Sequence, residues 1–431
     1  MTMEEYNPWW LGEPDPVYEE WLNAPVRWTP RAIDRLSLTP FSLNFLVGPR
    51  QVGKTTALKI LVHRLLEAGR DPHSIFYYSC DELSSHRELG EVLDNYLAAR
   101  QAWGVDSSVI LLDEVTFVEE WYRAVKSRID RRLLARDALV LTGSASLELL
   151  AGKEMFPGRR GHGRDIYLYP LPFTEYLEVT AGLSVERAGL EDPGRFSAAV
   201  KANTALAGRI GEAFRDYLET GGFPLPIREL RERGRITYLS YRAYLDWLRA
   251  DWIRAGRSEH IMKEVVAYLL EAAPSPVSWN NIARNTSIRT AYTAREYVET
   301  LQALMVARII YWATPTGEPS YRKNKKIAFT DPFLYHVLAR YTRTPVDEPA
   351  IVEATVIEHL ARRHPTYYWR NHTEIDALVL APRPLGVEVK WRRKPSTGRK
   401  PVPTITLDKR SLPVFLATLD AQPPENQARS R

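Results

Sequence analysis

Gly48, Pro49, Arg50, Gln51, Val52, Gly53, Lys54 and Thr55 form one unbroken run in the pattern G-x-x-x-x-G-K-T, with Thr56 directly after it. Such a run can cradle an anion. Its glycines let the backbone curl closely, so successive N–H groups point inward at phosphate oxygens. Lys54 is placed to reach the β- and γ-phosphates of a nucleotide, and the Thr55 hydroxyl suits the coordination shell of Mg2+. The run follows an apolar stretch and opens a helical one, so the positive end of a helix dipole also faces the anion.

A second group of chemically competent residues completes this one. The apolar residues 109–112 lead directly into Asp113 and Glu114. An apolar strand of this kind is buried, and it delivers both acids to its C-terminal edge, where ligands of open α/β sheets bind. Asp113 is then the candidate for holding Mg2+, and Glu114 the candidate for orienting and deprotonating an attacking water. The stretch 139–144 ends in Thr142, Gly143 and Ser144. A polar residue at that tip can sense a γ-phosphate, which makes Thr142 and Ser144 the candidates. Arg159 and Arg160 follow a glycine before the last strand of the region. An arginine there can reach a neighbouring subunit's nucleotide and stabilise developing charge, so a homo-oligomer enters the reading.

Positioning these residues takes a layered α/β domain. Between 41 and 170, strand patterns at 42–47, 74–79, 108–112, 138–142 and 165–168 alternate with helical patterns at 55–67, 85–99, 119–134 and 147–151. Alternation of this kind predicts a parallel sheet covered on both faces, with right-handed crossovers. The strand at 74–79, inserted between the phosphate loop and the acid pair, excludes a simple kinase or GTPase layout. Residues 1–40 hold Trp9, Trp10, Trp21 and Trp28 and read as a strap packed on this domain. Residues 171–260 read as helices broken by Pro and Gly.

Residues 261–345 read as a small helical unit, two strands and a helical connector. Helices at 261–273, 278–284 and 290–304, then strands at 306–313 and 320–329, follow the order of a winged helix-turn-helix. Arg289, Thr290, Tyr292, Thr293 and Arg295 fall at the start of the third helix, where such helices meet bases and phosphates. Arg322, Lys323, Lys325 and Lys326 lie on the wing and are expected to contact phosphate.

Residues 346–431 return to α/β character. Asp376 lies near the start of one strand, and Glu388 and Lys390 lie two apart on the next, so those two share a face. Asp376 and Glu388 could meet at one metal ion, with Lys390 polarising a water for attack on phosphate. Glu353, on the helix at 351–363, is the expected fourth member. This is the D…ExK arrangement of metal-dependent nucleases. The segment 392–403 is rich in Pro and charge where that fold carries a second helix, which favours a domain that is inert or only binds.

Composition bounds the rest. The chain has 431 residues, 45% hydrophobic and 26% charged, enough for several cores. Its net charge of +5 is concentrated at one end: residues 383–431 carry eleven Lys/Arg against four acids, which leaves the remainder slightly acidic. A polyanion is therefore expected to meet the C-terminal end. The single cysteine, Cys80, excludes an internal disulfide and a cysteine-rich zinc site, and a reducing interior fits best. No apolar signal core and no run of about 18 apolar residues is present, so a cytoplasmic protein without a membrane span is expected.

Taken together, the passages Asn7-Pro8-Trp9-Trp10, Gly48 to Thr55, Leu112-Asp113-Glu114, Leu141 to Ser144, Tyr169 to Tyr176 and Thr220-Gly221-Gly222-Phe223-Pro224 resemble a mainly archaeal family of AAA-type ATPases. The resemblance runs nearly end to end. It implies a P-loop AAA-type core at 41–170, a helical lid at 171–260, a winged helix and connector at 261–345 and a PD-(D/E)XK nuclease-like domain at 346–431. It also implies ATP hydrolysis with Mg2+. The first functional expectation is an ATPase acting on or near DNA through its C-terminal half. The alternatives are a regulatory nucleotide switch and an ATP-gated nuclease.

Overall fold

The computed structural model describes residues 2–143, 154–391 and 398–421, together with Leu149 and Gly152. The chain divides into two compact units at Tyr169 and Pro170.

The first unit is built on a five-stranded sheet of β1 (Ser42–Val47), β2 (Ile75–Ser79), β3 (Val109–Asp113), β4 (Ala138–Gly143) and β5 (Asp165–Tyr167), in the order β2-β3-β4-β1-β5. Every pairing is parallel. Four of these strands are apolar along nearly their whole length because helices cover both faces, which removes the polar alternation of a half-exposed sheet. Helices Lys54–Glu67, His86–Ala102 and Trp121–Asp130 occupy the places the sequence reserved for them. The strand inserted after the phosphate loop sits at the outer edge of the sheet as β2. Between β1 and β3 in space lies β4. Of the expected helix at 147–151, only Leu149 is among the described residues.

The N-terminal strap closes the β2 edge. The Asn7 amide nitrogen donates to the Tyr77 carbonyl at 2.9 Å, and the Tyr77 N–H donates to the Asn7 side-chain oxygen at 2.7 Å, so one side chain imitates a neighbouring strand. The indole N–H groups of Trp9 and Trp10 both donate to the Ile75 carbonyl. An edge left with free backbone groups invites strand addition, and this strap prevents it. Trp9, Trp10 and Trp28 are buried, and Trp21 is half-buried.

The second unit opens with the helices Phe173–Ala181, Pro193–Asn203, Ala207–Thr220, Pro224–Arg233 and Tyr238–Arg254. The turn after Thr220 explains one conspicuous glycine pair. Gly221 has φ +59° and ψ −156°, a conformation that L side chains avoid, and a Cβ there would lie 1.8 Å from an Asp331 carboxylate oxygen. That closeness lets the Gly222 N–H donate to Asp331 at 2.8 Å, while the Gly222 carbonyl accepts from Leu171 N–H. Two separated passages of the sequence therefore meet at one buried acid. Burial pushes the Asp331 carboxyl up to about 7, against the pull of the Gly222 and Phe333 amides.

Helices Glu259–Ala272, Trp279–Arg284 and Ala291–Ala303 follow, with the Ser278 and Thr290 hydroxyls capping the latter two. Next comes a hairpin of β6 (Ala307–Ala313) and β7 (Pro319–Phe329). This hairpin, read from the sequence as a separate wing, is one end of a larger sheet. Together with β8 (Thr366–Arg370), β9 (Glu374–Leu380), β10 (Pro384–Lys390) and β11 (Thr404–Asp408) it makes six strands in the order β11-β10-β9-β8-β6-β7. The joint is a parallel pairing of Trp312 with Tyr368, next to a core of Ala313, Trp369, Ile375 and Leu378. Helix Glu348–Ala361 is buried over most of its length. No described helix is long and apolar enough to cross a membrane.

Candidate nucleotide site and carboxylate cluster

Because the first sheet is parallel, the C-terminal ends of β1, β3 and β4 lie along one edge, and the phosphate loop, Asp113, Glu114 and Thr142 assemble there. The phosphate loop leaves β1 at Gly48 and turns into helix Lys54–Glu67 at Gly53, whose φ is +94°. The Lys54 ammonium is buried and donates to the carbonyls of Gly48 and Pro49 at 3.1 and 3.0 Å, which holds it inside the loop. Arg50 extends over the Phe117 ring at 5.8 Å.

Asp113 is the hub. Its carboxylate accepts from the Thr55 hydroxyl at 2.6 Å, from the Tyr77 hydroxyl at 3.0 Å and, in a short contact, from the Thr142 hydroxyl. The Glu114 N–H donates to Asp113 at 3.1 Å and to the Thr142 hydroxyl at 3.2 Å. Glu114 itself has φ +55°, in the left-handed region, so the chain turns sharply as it leaves β3. Thr55 and Asp113 thus present a hydroxyl and a carboxylate in direct contact, a hard oxygen pair suited to Mg2+. Ser144 lies outside the described residues.

Tyr77 has no place in the sequence-derived set, yet it fastens Asp113 from β2. Burial first, and then the Asp113 charge, push its hydroxyl far above the ordinary phenol range, so it stays a donor. The Lys59 ammonium sits 3.7 Å from the Tyr77 ring centroid and pairs with Asp15 at 2.9 Å. Burial lowers the Lys59 pKa, with Asp15 opposing. The strap is therefore connected to Asp113 through Asp15, Lys59 and Tyr77.

Arg159 and Arg160 are both engaged within the chain. Arg159 pairs with Asp130 at 2.6 Å, and Arg160 pairs with Asp165 at 2.6 Å while lying 5.0 Å from the Phe45 ring centroid. Either one would have to leave its acid to reach another subunit.

In the second unit the four expected metal-site residues do not converge. Glu353 and Asp376 face the ammonium of Lys326, at 2.7 and 3.2 Å, and Glu374 joins them at 3.0 Å. Glu388 is turned instead to Lys390 at 2.7 Å and Lys400 at 3.0 Å. The other Asp376 oxygen accepts from the Val389 N–H. With the lysines where they stand, no group of three or more His, Cys, Asp or Glu among the described residues could hold a metal ion. The expected site shared by Glu353, Asp376, Glu388 and Lys390 therefore does not fit a divalent cation. Burial opposes the charge on Lys326, but Glu353, Asp376 and Glu374 outweigh it and keep the ammonium protonated well above the ordinary lysine range. Burial raises the Glu353 carboxyl to about 7, with Lys326 opposing.

Lys326 also corrects the expected phosphate-binding wing, because Lys325 and Lys326 are both buried. Lys325 lies 4.8 Å from the Trp279 ring centroid. Arg322 and Lys323 remain exposed, as do Arg289, Tyr292 and Tyr321, whereas Arg295 is paired with Glu299.

Residues 41–177 match the AAA domain family, and residues 211–344 match a domain of unknown function. No curated protein sequence matches the chain. Among solved structures, the chain is similar to the Walker-type ATPase of Pyrococcus abyssi at 13% identity, with a TM-score of 0.44 over 75% of this chain and 93% of that one. It is also similar to the Aeropyrum pernix ORC2 protein in ADPNP–ADP complexes, at 14% identity and a TM-score of 0.39 over 76% and 92% of the two chains. A third is the Aeropyrum pernix ORC1 protein in complex with DNA, at 14% identity and a TM-score of 0.30 over 69% and 86%. The family match, the strand order and the phosphate loop followed by β3 define a P-loop AAA-type domain in the first unit.

Proposed function

We propose that this chain is an Mg2+-dependent ATPase of the AAA type that acts on or beside DNA. The observation that carries the reading is the Asp113 carboxylate, gripped by Thr55, Tyr77 and Thr142 at the edge where the phosphate loop ends. Gly48 to Thr56 would hold the triphosphate, with Lys54 leaving the loop carbonyls for its phosphate oxygens. Thr55 and Asp113 would hold Mg2+, which when bound neutralises phosphate charge. Glu114 takes the proton of the attacking water, and Thr142 or Ser144 senses the terminal phosphate. Arg159 and Arg160 are the candidates for completing a neighbouring subunit's site in a homo-oligomer.

Calorimetry tests the nucleotide half. Lys54→Ala is expected to weaken ATP uptake about 10–100-fold, the worth of one charge-assisted hydrogen bond at about 1.5–3 kcal/mol. Uptake equal to wild type would remove the reading.

The DNA half is supported by the exposed set Arg289, Tyr292, Tyr321, Arg322 and Lys323, which belongs to the segment proposed as a winged helix. Binding to duplex DNA is expected to weaken steeply with salt. The double variant Arg322→Ala, Lys323→Ala should lower the log–log salt slope by about 2, roughly one per lost phosphate contact. A protein that binds no nucleic acid at low salt, and hydrolyses ATP at a rate indifferent to DNA, would instead be a nucleotide switch.

A further inference from the structure

We infer that Lys326 is a built-in cation that occupies the place of a divalent metal among Glu353, Glu374 and Asp376, so that the C-terminal unit carries a nuclease-like motif without a metal-dependent centre.

Three carboxylates from two different elements surround one ammonium. Glu353 comes from helix Glu348–Ala361, while Glu374 and Asp376 come from β9. Their oxygens lie 2.7, 3.0 and 3.2 Å from the Lys326 nitrogen, and an ammonium has three protons to give. Lys326, Glu353 and Asp376 are 3%, 8% and 6% exposed, so the nitrogen fills an enclosed space. A Mg2+ or Mn2+ ion would need carboxylate oxygens at about 2.0–2.2 Å from the same centre. The ammonium and the ion cannot both be there.

The position of Lys326 follows from the backbone. It lies on β7 opposite Ile310 of β6, where the strand has passed from exposed residues to a buried apolar end at Ile327, Ala328 and Phe329. Because β6 also pairs with β8, the strand bearing the lysine belongs to the same sheet as β9 and its two acids. The remaining acid of the motif is neutralised in the same manner. Glu388 accepts from Lys400 at 3.0 Å and pairs with Lys390 at 2.7 Å, so the lysine expected to activate a water is tied to the motif's own glutamate. Lysine charge thus stands at both halves of the motif where metal charge would otherwise be required.

The test is Mn2+ uptake measured by the paramagnetic resonance signal of free Mn2+. It uses the full chain without nucleotide, in an Asp113→Asn background that removes the metal position proposed in the first unit. With Lys326 intact, no stoichiometric Mn2+ uptake is expected. Adding Lys326→Ala opens the three carboxylates and should bring uptake of about one Mn2+ per chain, at least tenfold tighter, lost again on Asp376→Asn. One Mn2+ bound per chain with Lys326 intact, and lost on Asp376→Asn, would overturn the inference. So would a folded Lys326→Ala protein that takes up no more Mn2+ than its parent. Should Lys326→Ala fail to fold, the measurement on the Lys326-bearing chain with and without Asp376→Asn decides alone.

Discussion

Glu114→Gln is expected to bind ATP as the wild type does and to release phosphate about 10²–10⁴-fold more slowly, the usual contribution of a positioned general base. The proposed role rests on where the backbone places this residue. Glu114 follows directly on Asp113, and its N–H is shared between the Asp113 carboxylate and the Thr142 hydroxyl. Its φ of +55° costs a non-glycine residue about 1–2 kcal/mol, a strain maintained because the neighbouring groups dictate the turn. The point from which the side chain departs is thereby fixed relative to Asp113 and Thr55. Glutamine keeps the size and can still orient a water, but it cannot accept the proton. Phosphate release at saturating ATP, paired with calorimetric uptake, separates this from a folding defect. A rate within a few-fold of wild type would assign the base elsewhere.

The phosphate loop was legible because its chemistry is contiguous. Eight neighbouring residues, an apolar lead-in and a helical exit state both the conformation and the ligand class, and β1 begins and ends where the pattern placed it. The Asp113 hub was legible in part. Thr55 and Thr142 sit at the ends of recognisable elements, but Tyr77 becomes a partner only through the strand order, which places β2 against β3. Local periodicity identifies a strand without naming its neighbour.

The carboxylate cluster escaped for the same reason in a stronger form. Residues 322–326 hold four Lys/Arg, and a basic stretch reads as solvated or phosphate-facing. What buries Lys326 is the continuation of the sheet across Trp312 and Tyr368, a single long-range pairing that no nearby residue announces. The D…ExK spacing points to Asp376 and is silent on Glu374. The apolar start of Ile327-Ala328-Phe329 immediately after Lys326 was the one available signal that the lysine lies at the border of a core.

Glu358→Ala is expected to destabilise the second unit by about 3–5 kcal/mol, because it leaves two guanidinium groups without the carboxylate that balances them in a buried place. Glu358 is 2% exposed. It accepts from Arg308 in bidentate fashion at 2.7 and 3.1 Å, and from Arg362 at 3.2 Å. Arg308 stands on β6 and Glu358 on the helix that precedes β8, so the cluster fastens the β6–β7 hairpin to that helix. A loss of this size in a unit of some 250 residues corresponds to a fall in melting temperature of roughly 10 °C. The pH dependence has a definite sign. Burial alone would raise the Glu358 pKa, but Arg308 and Arg362 outweigh it and hold the carboxyl below its ordinary value. A depressed folded pKa contributes stability above the unfolded value and loses it as pH falls through the folded one. The gap between wild type and Glu358→Ala should therefore be full at neutral pH and shrink in acid. Urea titrations of both proteins at a series of pH values measure it. A gap that stays below about 1 kcal/mol at neutral pH would place this cluster with pairs whose desolvation cancels their attraction.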